Sequence, residues 1–135
     1  MTDIDYRIEP PLGDIILNRL YAAVWPDHEE REFERVLDRS LTYVGAFNDD
    51  ELVGFVYVAW DGGAHAFLLE PCVLPEYRNR GIGTELIREA AREAVDAGAH
   101  WLHVDYAPEL ERFYAASGFR PSRAGLLRLQ RSHAP

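Results

Sequence analysis

The sequence predicts a mixed α/β fold: a mostly antiparallel central sheet of about six or seven strands, flanked by about four helices. Three observations carry this. Between residues 41 and 73 three strand-like runs follow one another through short turns, the mark of an antiparallel meander. From 64 to 106 a strand, a basic glycine-containing loop, a long amphipathic helix and a further strand make a parallel, right-handed crossover. The order β-α-α-β-β-β-α-β-α-β fills the 135 residues with no repeat or low-complexity segment, so a single domain, 1–135, is expected.

Each element has its own signal. Ile4, Tyr6 and Ile8 alternate with polar residues as a first strand, which Pro10-Pro11 ends. Leu12–Trp25 has apolar residues near helical period and stops at Pro26. Asp27–Arg39 reads as a second, highly charged helix with a thin apolar face of Phe33, Val36 and Leu37. Leu41–Phe47 and Leu52–Trp60 flank the turn Asn48-Asp49-Asp50-Glu51, and Asp61-Gly62-Gly63 turns into a strand over Ala64–Val73. Pro71 sits inside that strand, where a proline implies a bulge or a break in the ladder. The next helix runs to about Ala97. Its buried stripe is expected to combine Ile82, Leu86, Ala90 and Ala94 with Ile87, Ala91 and Val95, and Gly98 follows its end. Trp101–Tyr106 reads as a strand and Leu110–Ser117 as a short helix ended by Gly118. Phe119-Arg120-Pro121 and Leu126–Gln130 read as closing strands.

Composition excludes several classes of function. The net charge of −9 argues against general nucleic-acid binding, which needs basic surface, and weakly favours a cationic partner such as an amine. Every basic residue other than histidine is arginine, so lysine Schiff-base chemistry and a P-loop lysine are both absent. The single cysteine, Cys72, leaves no internal disulfide and no multi-cysteine metal site; no metal is expected. No apolar run approaches the ~20 residues that span a bilayer. MTDIDYRIEP lacks the basic start and apolar core of a signal peptide, so a cytoplasmic location without membrane partners is expected.

The loop Arg78-Asn79-Arg80-Gly81-Ile82-Gly83-Thr84 opens directly into a helix. A helix start carries unpaired N–H groups and about half a positive charge. Two glycines allow an anion to approach those N–H groups, and two arginines add full charges beside them, which makes a phosphate site. A dinucleotide fingerprint needs a third glycine where Leu86 stands, and the antiparallel meander is wrong for that fold.

Val73-Leu74-Pro75-Glu76-Tyr77 followed by this loop resembles the acetyl-CoA signature of the GCN5-related N-acetyltransferases (GNAT). Phe113-Tyr114-Ala115-Ala116-Ser117-Gly118-Phe119 resembles the same family's Tyr-x-x-x-Gly-Phe segment. The resemblance covers the whole element order. It implies a GNAT-type sheet splayed at the acetyl-CoA site, with acetyl-CoA as co-substrate. The Arg78–Thr84 amides would take the pyrophosphate. The Cys72 and Val73 backbone would pair with the pantetheine arm, and Pro71 would mark the break that frees it. Tyr114 would be the general acid. The asparagine common seven residues before that tyrosine is here Ala107.

The implied activity is direct transfer of acetyl, through a ternary complex, to a primary amine of a small molecule or peptide. The alternative is a non-catalytic acyl-CoA-binding sensor. Transfer needs a base, and two candidates stand open. Glu70 is a lone carboxylate in an apolar strand just before the break; His103 and Asp105 lie two apart on one expected strand face. As a nucleophile Cys72 has no adjacent histidine, and His103 with Asp105 as a metal pair has no third ligand in view. Dimers are common in the family, and Leu126–Gln130 is the expected pairing edge.

Overall fold

The computed structural model describes residues 3–130. They fall into two compact units, one ending at Val104 and the other beginning at Asp105.

The first unit holds the sheet. Its elements in order are β1 (Asp5–Ile8), α1 (Asp14–Val24), α2 (Glu34–Arg39), β2 (Thr42–Asn48), β3 (Glu51–Trp60), β4 (His65–Val73), α3 (Ile82–Ala97) and β5 (Trp101–Val104). The strands lie in sequence order, β1-β2-β3-β4-β5. The first three pairings are antiparallel and β4–β5 is parallel, as the meander and the crossover require.

Successive residues of a strand face opposite sides of a sheet, and β3 shows both faces at once. At Gly54 a Cβ would stand 3.0 Å from the Leu86 side chain of α3. At Phe55 the ring centroid lies 6.3 Å from that of Tyr21 in α1. So α3 covers one face and α1 the other. The core between them is Leu17, Leu20, Tyr21 and Phe33 on one side, and Val44, Ala46, Val56, Leu86 and Ala90 on the other, all buried.

Helix α3 ends at Gly98, whose φ of 100° suits glycine; its N–H and that of Ala99 return to carbonyls of the last turn. The expected stripe holds for Ile82, Leu86, Ile87, Ala90 and Ala94, but Val95 is 69% exposed. At about 100° per residue the five buried positions span about 140° of arc, and Val95 falls about 80° beyond its edge.

Two further expectations are corrected. The second helix covers only Glu34–Arg39, and residues 25–33 form a loop. Side chains of α1 replace helical backbone partners there. The Asn18 carboxamide accepts from the Arg31 N–H (3.0 Å) and donates to the Arg31 carbonyl (2.9 Å). Asp14 accepts from the Phe33 N–H at 2.9 Å. Among the described residues the sheet has five strands: β5 stops at Val104, and residues 119–130 contain no strand. That last segment carries Pro121 and Gly125, and Leu126, Leu127 and Leu129 are each more than 80% exposed.

The second unit contains α4 (Glu111–Ala116), entered through one 3-10 turn at Pro108–Leu110. Gly118, at φ 99°, ends it as expected.

Candidate active site

The site is built on the C-terminal half of β4. Strand β5 accompanies β4 only from His65 to Leu68, opposite Trp101 to Val104. Past Leu68 the β5-side edge of β4 has no strand beside it among the described residues. On the other side β3 continues, with Phe55 opposite Cys72 and Gly54 opposite Val73. The Leu74 N–H donates to the Val53 carbonyl at 2.8 Å, which sets the phase of the ladder. Alternation along an antiparallel strand then turns the backbone groups of Cys72 toward β3 and those of Val73 toward the open edge, so the expected pairing of both backbones with a pantetheine arm is corrected to Val73 alone.

Between these segments lies the break that Pro71 announced. Tyr57 pairs with Leu69 and Phe55 with Cys72, so Glu70 and Pro71 together oppose Val56. This is a bulge, and Glu70 takes it with a φ of 51°. A residue other than glycine in the left-handed region costs about 1 kcal/mol or more, so its surroundings must hold it there.

They do so with side chains from α1 and the 25–33 loop. The Tyr21 hydroxyl donates to Glu70 Oε1 at 3.0 Å. Arg31 donates through Nη2 to Oε1 at 2.6 Å and through Nη1 to Oε2 at 3.3 Å, a two-pronged ion pair. The Arg31 guanidinium carbon lies 4.5 Å from the Phe33 ring centroid and 5.0 Å from that of Tyr21. Burial opposes the charge on Arg31, but the Glu70 carboxylate more than offsets this and its pKa is raised. Tyr21 is pushed well above the usual phenol range, first by burial and then by the charge of Glu70. Tyr57 is raised by burial and then by Glu70. Cys72 is buried, and burial followed by the Glu70 charge pushes its thiol up to about 12, so near neutral pH it is a protonated core residue.

The chain leaves β4 through a 3-10 turn at Pro75–Tyr77. The Tyr77 hydroxyl accepts from Asn48 Nδ2 at 2.8 Å and donates to Glu51 at 3.3 Å, pinning this turn to the β2–β3 hairpin. Arg80 lies over the Tyr77 ring at 5.0 Å and donates to the Glu76 carbonyl at 3.1 Å. Arg78, Asn79, Arg80 and Gly81 are all exposed. Asn79 (φ 63°) and Gly81 (φ 82°) both adopt the left-handed conformation, and Gly81 caps α3. The first helical hydrogen bond is Glu85 N–H to the Gly81 carbonyl at 3.1 Å, so the N–H groups of Ile82, Gly83 and Thr84 point out of the helix start.

An unpaired strand edge that runs into an amide-lined helix start fits a chain of amide groups ending in phosphate. The residues present therefore suit a pantetheine pyrophosphate.

The other expected residues belong to other elements. His103 is on β5, its Nε2 2.8 Å from His65 Nδ1 and its ring stacked on Phe67. Asp105 falls beyond the end of β5. Tyr114 belongs to the second unit. It is buried against Tyr106, Phe113 and Phe119, with centroids at 4.8, 5.0 and 5.7 Å, and burial raises its pKa. Ala107 lies just before the 3-10 turn of that unit.

Arg31, Tyr21 and Asn18 were not anticipated. One signal was available for Arg31: it is the only arginine in the acidic run Asp27–Glu34, and it is part-buried where Glu30 and Glu32 are exposed.

With the fold and site in view, similarity to known proteins places the chain. The Acetyltransferase (GNAT) family profile matches residues 14–119, most of the chain, and the chain belongs to that family. A mycothiol acetyltransferase of Nocardia farcinica (strain IFM 10152) is 36% identical over 133 residues, covering 95% of this chain and 43% of that protein. The chain thus spans less than half the length of this curated relative. A GNAT-family acetyltransferase from Streptococcus pneumoniae TIGR4 superposes with a TM-score of 0.82 at 24% identity, over 96% of this chain and 100% of the other. An aminoglycoside N-acetyltransferase solved in complex with CoA superposes with a TM-score of 0.75 at 20% identity, over 98% and 97% of the two chains. Both structures show a shared fold.

Proposed function

We propose that the chain transfers acetyl from acetyl-CoA to a primary amine of a small molecule or peptide, directly, with both substrates bound together. One observation carries this reading. Within one stretch, β4 provides a carboxylate held in a bulge at Glu70 and an outward-facing backbone at Val73, and the loop after it provides a left-handed, amide-rich entry to α3. A neighbour of the same fold is described in complex with CoA, which supports placing CoA along that stretch. The Arg78–Thr84 amides and arginines would hold the pyrophosphate. Val73 would take the pantetheine arm on its free edge, with Cys72 as the buried residue that keeps β4 on β3.

Acetyl-CoA, when bound, supplies the activated acetyl group and a thiol leaving group. The rest falls to the chain. An amine of pKa ~10 is deprotonated in only about one molecule in a thousand at pH 7, so Glu70 would anchor the ammonium and take its proton. The Val73 N–H would donate to the developing oxyanion. Tyr114 would donate a proton to the departing sulfur. Its raised pKa keeps the phenol protonated beyond the ordinary tyrosine range, so a limb of activity that needs this proton survives to higher pH. No helix among the described residues is long and apolar enough to cross a membrane. A cytoplasmic location is part of this proposal. The family match runs from 14 to 119, across both units, which supports one catalytic domain.

The test is thiol release from acetyl-CoA across a panel of amines. Release that depends on the amine, with intersecting rather than parallel initial-velocity lines, is the expected result. CoA binding by calorimetry with no turnover on any amine would instead make the chain an acyl-CoA sensor. Tyr114→Phe should lower turnover by about 10²-fold and remove the high-pH limb; an unchanged rate across pH rejects its role as acid.

A further inference from the structure

The Arg31–Glu70 pair is more than a clamp on a strained residue. A carboxylate offers about four acceptor positions. Three are taken on Glu70: two on Oε1, by Tyr21 and Arg31 Nη2, and one on Oε2, by Arg31 Nη1. One position on Oε2 remains, and the Tyr57 hydroxyl also approaches both Glu70 and Arg31 at this side of the pair. Each Arg31 Nη carries two hydrogens, and each donates one to Glu70, so Nη1 also keeps a hydrogen. The pair therefore presents an acceptor, Oε2, and a donor, Nη1, side by side and 3.3 Å apart. Both side chains are partly open to solvent, Arg31 at 36% and Glu70 at 34%.

This arrangement is rigid. Asn18 holds the Arg31 backbone at both its N–H and its carbonyl. Tyr21 and Phe33 flank the guanidinium. Nε is buried, which leaves only the Nη edge to meet a ligand. A cation adds nothing to the recognition of a plain amine and repels its ammonium form. Such a built cation is explained if the ligand has an acceptor beside its amine.

We infer that the acceptor substrate is an amine with a carbonyl oxygen on the adjacent carbon, as in an α-amino acid or the N-terminal residue of a peptide. Its amine donates to Glu70 Oε2 while its carbonyl or carboxylate oxygen accepts from Arg31 Nη1. Arg31 is then the specificity-determining residue of the amine site, and this rests on the acetyl-transfer reading for the place of Glu70.

Binding can be measured apart from turnover. The full chain, saturated with CoA, is titrated calorimetrically with matched sets: an amino-acid amide, the free amino acid, and the amine lacking the carbonyl. Alaninamide, alanine and isopropylamine make one set; phenylalaninamide, phenylalanine and phenethylamine make another. At least one set is expected to favour the carbonyl-bearing ligand by about tenfold or more. The amide and acid arms separate a peptide-like from a free amino-acid source. Arg31→Gln should bring that ratio toward one, and Arg31→Lys, which keeps charge but loses the planar fork, should retain part of it. CoA affinity, measured in each variant, reports that it is folded; if Arg31→Gln fails that check, the wild-type sets and Arg31→Lys decide. Equal binding of all three ligands in every set, or a ratio untouched by a folded Arg31 variant, overturns the inference. Thiol release run in parallel separates the two readings. A preference in binding without turnover rejects acetyl transfer alone, whereas turnover only on amines without the carbonyl rejects this inference alone.

Discussion

The two ends of the β4 stretch are made of different material. The Arg78–Thr84 loop is a site of backbone: left-handed turns at Asn79 and Gly81 and the free N–H groups of a helix start, with arginines at its rim. The Arg31–Glu70 end is a site of side chains drawn from three elements: α1, the 25–33 loop and β4. A backbone site suits a ligand part that never changes, and a side-chain site suits one that does. Members of one family can keep the first while altering the second one residue at a time. On this view the two ends should respond separately to mutation.

The largest effect is expected at Glu70. Glu70→Gln removes the proposed base and leaves Arg31 without its anion. Turnover with the best amine should fall by about 10²-fold or its pH optimum should move upward. CoA affinity should change far less, since the amide-lined loop is built from other residues. Turnover and pH profile both unchanged would remove Glu70 from the reaction and return His103 as the next candidate.

A smaller effect, confined to the other end, is expected at Gly81. At φ 82° a β-branched residue is strained even though nothing lies within 4 Å of the added Cβ. Gly81→Val should cost about 1–3 kcal/mol of loop geometry, and CoA affinity should fall by about tenfold or more. Amine selectivity, as a ratio between two acceptors at saturating CoA, should hold. A change in that ratio would mean that the two ends are not separable.

The same contrast decides what was legible in the sequence. The loop could be read because its chemistry is local: Gly81, Gly83 and the arginines carry it within seven residues, and Pro71 marked the bulge just upstream. Strands β2 to β4 and helix α3 were legible through period and turn residues. The Arg31–Glu70 pair was not, because its partners are 39 residues apart and meet only once the sheet and α1 are assembled. Residues 27–33 fail as a helix for the same reason. Their helical composition loses to hydrogen bonds from Asn18 and Asp14, one turn apart on α1, which no local pattern displays. At residues 126–130 the leucines suggested a strand, but a strand exists only with a partner to pair it, and composition names no partner.

Asn18 gives the smallest and most discriminating effect. It touches neither the carboxylate nor the loop that would hold CoA, and it reaches the amine end through the Arg31 backbone and through His28, whose ring lies 5.5 Å from that of Tyr21. Its oxygen accepts from the Arg31 N–H and from His28 Nε2 (2.8 Å), and its nitrogen donates to the Asp14 and Arg31 carbonyls, both at 2.9 Å. Asn18→Ala removes all four bonds and should cost about 1–3 kcal/mol. For a chain of this size that is a fall in Tm of about 3–10 °C. Asn18→Asp keeps the acceptor and loses the donor, so it should fall between wild type and alanine in Tm. If Arg31 matters because it is held, KM for the amine should rise in the same order, alanine above aspartate above wild type, with CoA affinity little altered. A loss of Tm without that rise would make the clamp purely structural and would leave Arg31 to be positioned by Tyr21, Phe33 and Glu70 alone.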